Sequence, residues 1–218
     1  MDDAIITGSV NDKGTRFTFT LNSDAVYVDV IDGSWSYPIP SSNKIYNINF
    51  SGSESLVSLD LSNLDTSNIY DFSDMFRGCR SLETLNLKGF NTSNAYYMDD
   101  MFNGCEKLAE LDISSFDTLK CSHMMRMFKN CKSLSSIDIS MFKFGNISPN
   151  LVEMFKGCDD ITISISNIKS AIDMRNINFY EDFIENKPSV TVNYSSNVMV
   201  YNHFILDAFR NAKWVDVG

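Results

Sequence analysis

No stretch of the chain holds roughly eighteen consecutive apolar residues, the length a helix needs to cross a bilayer, so no segment reads as membrane-spanning. Histidine is scarce, with two in 218 residues, and no C-x-x-C pair occurs, so the usual zinc spacings are missing. Neither G-x-S-x-G, H-E-x-x-H, a P-loop nor a Rossmann glycine pattern is present. Basic clusters are absent too. Lys and Arg are scattered singly in a chain of net charge −10, and such a surface repels phosphate backbones. Together these absences argue against a nucleic-acid partner, a cofactor and a resident metal. The N-terminus, Met1-Asp2-Asp3-Ala4-Ile5-Ile6, lacks a basic segment leading into an apolar one, so no secretory signal is expected in this sequence.

What is present is repetition. Met75-Phe76, Met101-Phe102, Met127-Phe128 and Met154-Phe155 occupy one recurring position, and each pair is followed by Cys79, Cys105, Cys131 or Cys158. The units span 55–80, 81–106, 107–132 and 133–159; the first three keep a period of 26 residues and the fourth adds one. A fixed period of this size predicts a solenoid whose units pack on their neighbours. It also argues against catalysis, since repeats distribute side chains evenly whereas an active site converges them.

Within a unit, Leu82, Leu85 and Leu87 recur as Leu56/Leu59/Leu61, Leu108/Leu111/Ile113 and Leu134/Ile137/Ile139. This L-x-x-L-x-L spacing predicts a short strand, and stacked copies predict a parallel sheet. A polar corner follows, Asp65-Thr66-Ser67-Asn68 in the first unit and Asn91-Thr92-Ser93-Asn94 in the second. Beyond it, Phe72/Met75/Phe76/Cys79 and their counterparts fall at i, i+3, i+4, i+7, the apolar face of a short helix, with Gly78, Gly104 and Gly157 suited to a helix end. The expected class is therefore α/β: parallel strands alternating with short helices.

Two rows invite chemistry. Equivalent cysteines on adjacent coils would come within disulfide reach, but a small thiol at one buried position per coil also packs well unreacted, and free buried thiols are expected. Asp60, Asn86, Asp112 and Asp138 form an outward row that suggests a calcium or carbohydrate ladder; satisfying turn amides is the plainer role. Cys121 and His123 suggest a nucleophile pair, yet Cys121 takes the core slot of Ile69 and Ala95, so no catalytic residue is assigned.

The flanks differ from the repeats. Residues 1–54 carry β-rich runs at Ala4–Val10, Thr15–Leu21, Ala25–Ile31 and Lys44–Phe50, which predict a small antiparallel sheet capping the first coil. Trp35 and Tyr37 belong to that cap or form an exposed contact patch. A partial fifth unit with a strand at Ile161–Ile165 ends near 168, and residues 169–218 predict a mixed cap, with a strand at Val190–Tyr194 and a helix over Val198–Ala212.

The run Leu59-Asp60-Leu61-Ser62-Asn63-Leu64-Asp65-Thr66-Ser67-Asn68, continuing to Asp74-Met75-Phe76-Arg77-Gly78-Cys79, resembles the repeat of the BspA-like leucine-rich repeat proteins over about 55–168. The resemblance implies a leucine-rich-repeat solenoid and a role in adhesion or protein binding, with no catalytic residues. Two expectations follow. The chain is a binding module for a protein or glycan, displayed on a cell surface, with Glu83, Thr84, Lys88 and Glu110 on its exposed sheet. Alternatively it is a structural component of a larger assembly such as a bacteriophage virion, contacting neighbouring subunits through Trp35, Tyr37 and its C-terminal aromatics. A cytoplasmic scaffold and a homo-oligomer stay open. The repeat alignment itself is testable: Met101→Asp puts a charge into the stacked core and should abolish the cooperative thermal transition, whereas an unchanged melt would refute the alignment.

Overall fold

The computed structural model describes residues 4–10, 16–21, 24–29, 34–36, 45–62, 64–143, 149–165, 191–194 and 212–217. Eleven strands lie among them: β1 Ala4–Val10, β2 Arg16–Leu21, β3 Asp24–Asp29, β4 Ser34–Ser36, β5 Ile45–Asn49, β6 Ser58–Asp60, β7 Thr84–Asn86, β8 Ser136–Asp138, β9 Thr162–Ser164, β10 Thr191–Tyr194 and β11 Lys213–Asp216. The repeats stack as a parallel β-solenoid of about four turns. β6 pairs in parallel with β7, and β8 with β9, placing Leu59 opposite Leu85 and Ile137 opposite Ile163. The strand positions that alternate inward, Leu59, Leu61, Leu87 and Ile137 among them, are buried in one continuous core.

The other side of each coil departs from expectation. Among the described residues there is no helix. Residues 72–79 and their equivalents form consecutive turns, because alternate N–H groups leave the coil. The N–H groups of Phe72, Asp74, Phe76 and Gly78 donate to the carbonyls of Tyr97, Asp99, Met101 and Asn103 in the next coil at 2.8–2.9 Å. The intervening N–H groups of Met75, Arg77 and Cys79 close tight local turns onto Phe72, Asp74 and Phe76. An α-helix would send every one of them to the residue four earlier. Asp74 and Gly78 adopt φ values of 58° and 72°, as the third position of a type II turn requires. The later coils repeat this at Asp100 and Gly104, and at Arg126 and Asn130, where asparagine stands in for glycine in the left-handed region.

The helical spacing of Phe72, Met75, Phe76 and Cys79 was thus a true reading of which side chains point inward and a false one of the backbone. All four are 0–1% exposed. Their phenylalanines stack as a five-membered ladder, Phe50–Phe76–Phe102–Phe128–Phe155, with centroids 5.2–5.7 Å apart. Each such ring is worth about 1.5–3 kcal/mol of burial. The cysteines beside them are free and buried. Each thiol donates to the phenylalanine carbonyl one coil back, Cys79 to Phe50 and Cys105 to Phe76 at 3.2 Å. Burial pushes the Cys79 thiol up to about 12, far from reactivity.

The solenoid also extends into the flanks. Residues 1–54 contain the expected strands, but β5 joins β1 in parallel, giving the order β3-β2-β1-β5 with antiparallel pairing only along β1–β2–β3. β4 instead pairs in parallel with β6, Trp35 opposite Leu59, and the Phe50 and Gly52 N–H groups donate to Met75 and Arg77. An additional coil therefore precedes the first repeat. At the other end β9, β10 and β11 continue the parallel row. The helix expected over Val198–Ala212 lies outside the described residues, apart from Ala212.

The polar corners are closed by buried threonines. Thr92 Oγ1 donates to the Asp117 carbonyl at 3.0 Å and accepts the Asp117 N–H at 2.8 Å; Thr66 and Thr118 repeat this pair of bonds onto Asn91 and Lys143. Each hydroxyl so joins two coils where no backbone partner reaches. Thr92→Val keeps the shape but strands both Asp117 groups, so denaturant unfolding should show a loss of about 1–3 kcal/mol. No loss would mean water replaces the hydroxyl freely.

Candidate functional site

Two surfaces carry side chains beyond those the fold consumes. The first is the exposed face of the strand row. Glu83, Thr84, Lys88 and Glu110 are all exposed, and of them Thr84 alone lies within a strand, β7. Glu83 is held 3.5 Å from Lys107, and Thr84 Oγ1 donates to Ser58 Oγ at 2.6 Å. Lys88 and Glu110 make no side-chain bond among the described residues. Trp35 sits opposite Leu59 in the backbone register, and Tyr37 lies outside the described residues.

The acidic row on this face is structural. Asp60, Asn86, Asp112 and Asp138 each accept the N–H two residues ahead, from Ser62, Lys88, Ser114 and Ser140, at 2.8–3.1 Å. The Ser62 N–H and hydroxyl hold the Asp60 carboxyl below its ordinary range, and Ser114 does the same for Asp112. These oxygens stop the strand and turn the chain.

Charges elsewhere are paired along the coil axis. Glu54, Arg80, Glu106 and Lys132 alternate in sign, with Arg80 3.7 Å from Glu54 and 4.0 Å from Glu106, and Lys132 2.8 Å from Glu106. Arg126 grips the buried Asp100 with three contacts of 2.6–3.1 Å. Burial pushes the Asp100 carboxyl up, but Arg126 and Asn103 outweigh it and leave it lowered. Glu153 sits between Lys129 at 2.6 Å and Lys156 at 2.8 Å.

The second surface begins where the turn row starts. The residues just before Phe72, Met98, Met124 and Leu151 are Asp71, Tyr97, His123 and Asn150, joined coil to coil by parallel backbone bridges. Tyr97 lies 4.7 Å from the His123 ring and 6.4 Å from Tyr70 between centroids. Tyr70, Tyr96 and Tyr97 are 56%, 46% and 37% exposed. This stripe is the largest aromatic group on the described surface, and the strand-centred reading of the sequence passed over it. Its signal was present: aligning the repeats puts Tyr97 in the slot of Asp71.

The Cys121–His123 pair does not form. The Cys121 thiol faces the carbonyls of Tyr96 and His123, and burial pushes it up to about 12. The His123 ring meets the Ser122 hydroxyl instead, Nδ1 to Oγ 2.8 Å. Among the described residues no cluster of three His, Cys, Asp or Glu side chains is arranged to hold a metal ion.

The Glu153 cluster sets a pH dependence. Its carboxyl is lowered from 4.5 to about 2, first by the Lys129 bond and then by Lys156. A depressed carboxyl contributes stability above its unfolded value and loses it as pH falls through the folded one. Urea unfolding from about pH 5 to about pH 2 should cost the wild type about 1–2 kcal/mol more than Glu153→Gln, allowing for partial exposure. Parallel curves would show the pair to be idle.

No protein of curated function and no solved structure matches the chain. A family model described as "Mycoplasma protein of unknown function, DUF285" matches residues 45–183. That span opens at β5, takes in the segment around Phe50 that begins the turn row, and covers every repeat, most of the chain's length. The chain belongs to the DUF285 family.

Proposed function

We propose that this protein is a non-catalytic binding module, of the BspA-like leucine-rich-repeat kind, that presents a rigid solenoid to a protein or glycan at a cell surface. The observation that carries this reading is the exposed stripe of Tyr70, Tyr96 and Tyr97 on an otherwise self-satisfied framework. Tyrosine offers large contact area with a polar tip and few rotamers to freeze, which suits recognition. The neighbouring carboxylates, threonines and thiols are spent on turns and coil-to-coil bonds. Chemistry is disfavoured by the same facts: the buried thiols are pushed away from thiolate, and Cys121 lacks the His123 ring as a base. The resemblance of the repeats to surface adhesins points the same way.

Biolayer interferometry of the immobilised chain against panels of purified extracellular proteins and oligosaccharides tests this. Saturable binding to at least one ligand is expected, and Tyr97→Ala should weaken it without moving the circular-dichroism melt. A chain that binds nothing and instead assembles into a defined oligomer or ring would contradict the reading and favour a particle component.

A further inference from the structure

The turn row has a local rule that two of its coils break. In the first coil Asp71 Oδ1 accepts the Ser73 N–H at 2.9 Å, and in the fourth Asn150 Oδ1 accepts the Val152 N–H at 3.1 Å. The slot thus calls for a short side chain with an acceptor oxygen. The second and third coils place Tyr97 and His123 there, and neither caps the N–H two residues ahead. In the third coil Asp99 reaches over from its neighbour, its Oδ1 accepting the Met125 N–H at 2.7 Å. In the second coil nothing substitutes: among the described residues the Asp99 N–H has no acceptor. A lost turn bond costs stability, and departures from a fold's own rule gather at functional sites.

The exchange leaves a defined set of groups. Tyr97 lies between Tyr70 and His123, with Tyr96 exposed beside it. Asp99, only partly buried, keeps an N–H without an acceptor and an Oδ2 without a donor among the described residues. The guanidinium of Arg126 is committed, closed on Asp100. A donor-only cationic ligand would leave the Asp99 N–H unserved. An anionic ligand would meet Asp71, Asp99 and a chain of net charge −10. A hydroxyl both donates and accepts, and a sugar ring adds an apolar face for the tyrosines.

We propose that the Tyr70–Tyr97–His123 stripe is a binding site for a neutral glycan, one sugar ring lying against Tyr97 with its hydroxyls on the Asp99 N–H and carboxylate. This rests on the binding-module reading and narrows it to one ligand class and one face, the turn side rather than the strand side.

The test uses the full chain on a printed array of neutral and sialylated oligosaccharides, with saturation-transfer NMR of soluble lactose, cellobiose and N,N′-diacetylchitobiose. The informative variant is Tyr97→Asn, which restores the residue type of the fourth coil and should fold at least as stably as the wild type. Saturable binding to a neutral glycan is expected, with sialylated forms weaker. Tyr97→Asn should weaken it about tenfold or more while its melting temperature holds or rises. Glycan binding that survives Tyr97→Asn overturns the site, and so does an array with no neutral ligand. If a purified protein binds and no glycan does, this inference falls and the binding-module reading stands; if neither binds, both fall.

Discussion

The hydrogen bonds that leave each turn row for the next coil are the constraint on which the rest of the structure depends. They run from Phe50 N–H onto Met75 through to Asn130 N–H onto Lys156 without a gap. The strand row is less continuous. Its sheets are β4-β6-β7 and β8-β9-β10-β11, and the third coil contributes no strand between them. The spine of the solenoid is therefore the side made of turns. Alternate N–H groups are committed to the next coil, and the intervening ones close local turns, as Met75 onto Phe72, Arg77 onto Asp74 and Cys79 onto Phe76. That pattern places Asp74, Asp100, Arg126 and Glu153 at positive φ and fixes the stacking distance of the phenylalanines. The aromatic ladder, the thiol bonds and the threonine bridges all follow from one coil lying in register on another.

Much of this was legible in the amino-acid sequence. The 26-residue period named the stacking unit, and the inward apolar positions of the turn row were identified in the first three units. The element type was not, because inward positions at i, i+3, i+4 and i+7 are common to an amphipathic helix and to this series of turns. Only the fate of the backbone N–H groups distinguishes them, and side-chain patterning does not report that. The coil before the first repeat was missed for a different reason. Asn49-Phe50-Ser51-Gly52-Ser53 matches Met75-Phe76-Arg77-Gly78-Cys79 only at Phe and Gly, and a search led by Met and Cys passes over it. Ser53 takes the cysteine's place and is equally buried.

The surface was less legible than the core. Glu83, Thr84, Lys88 and Glu110 were read as outward, and all four are exposed. The row of Asp60, Asn86, Asp112 and Asp138 admitted a ligand ladder, but serving turn amides was the plainer reading, and the backbone supplies those amides at Ser62, Lys88, Ser114 and Ser140. Tyr97 went unremarked because repeats are aligned on what they share, whereas its interest lies in what it replaces. In a solenoid the framework is set by the repeated residues and individuality by the exceptions. Here the exceptions, Tyr97 and His123, are aromatic and adjacent, and Tyr97 is exposed.

The central claim is that the turn row bonds between coils rather than along a helix. Scalar couplings across hydrogen bonds, measured by NMR on isotopically labelled protein, test it most directly. The account predicts couplings from the Asp74 N–H to the Asp99 carbonyl, from Phe76 to Met101 and from Asp100 to Met125. Couplings from the Phe76 N–H to the Phe72 carbonyl, four residues back, would contradict it and restore the helix.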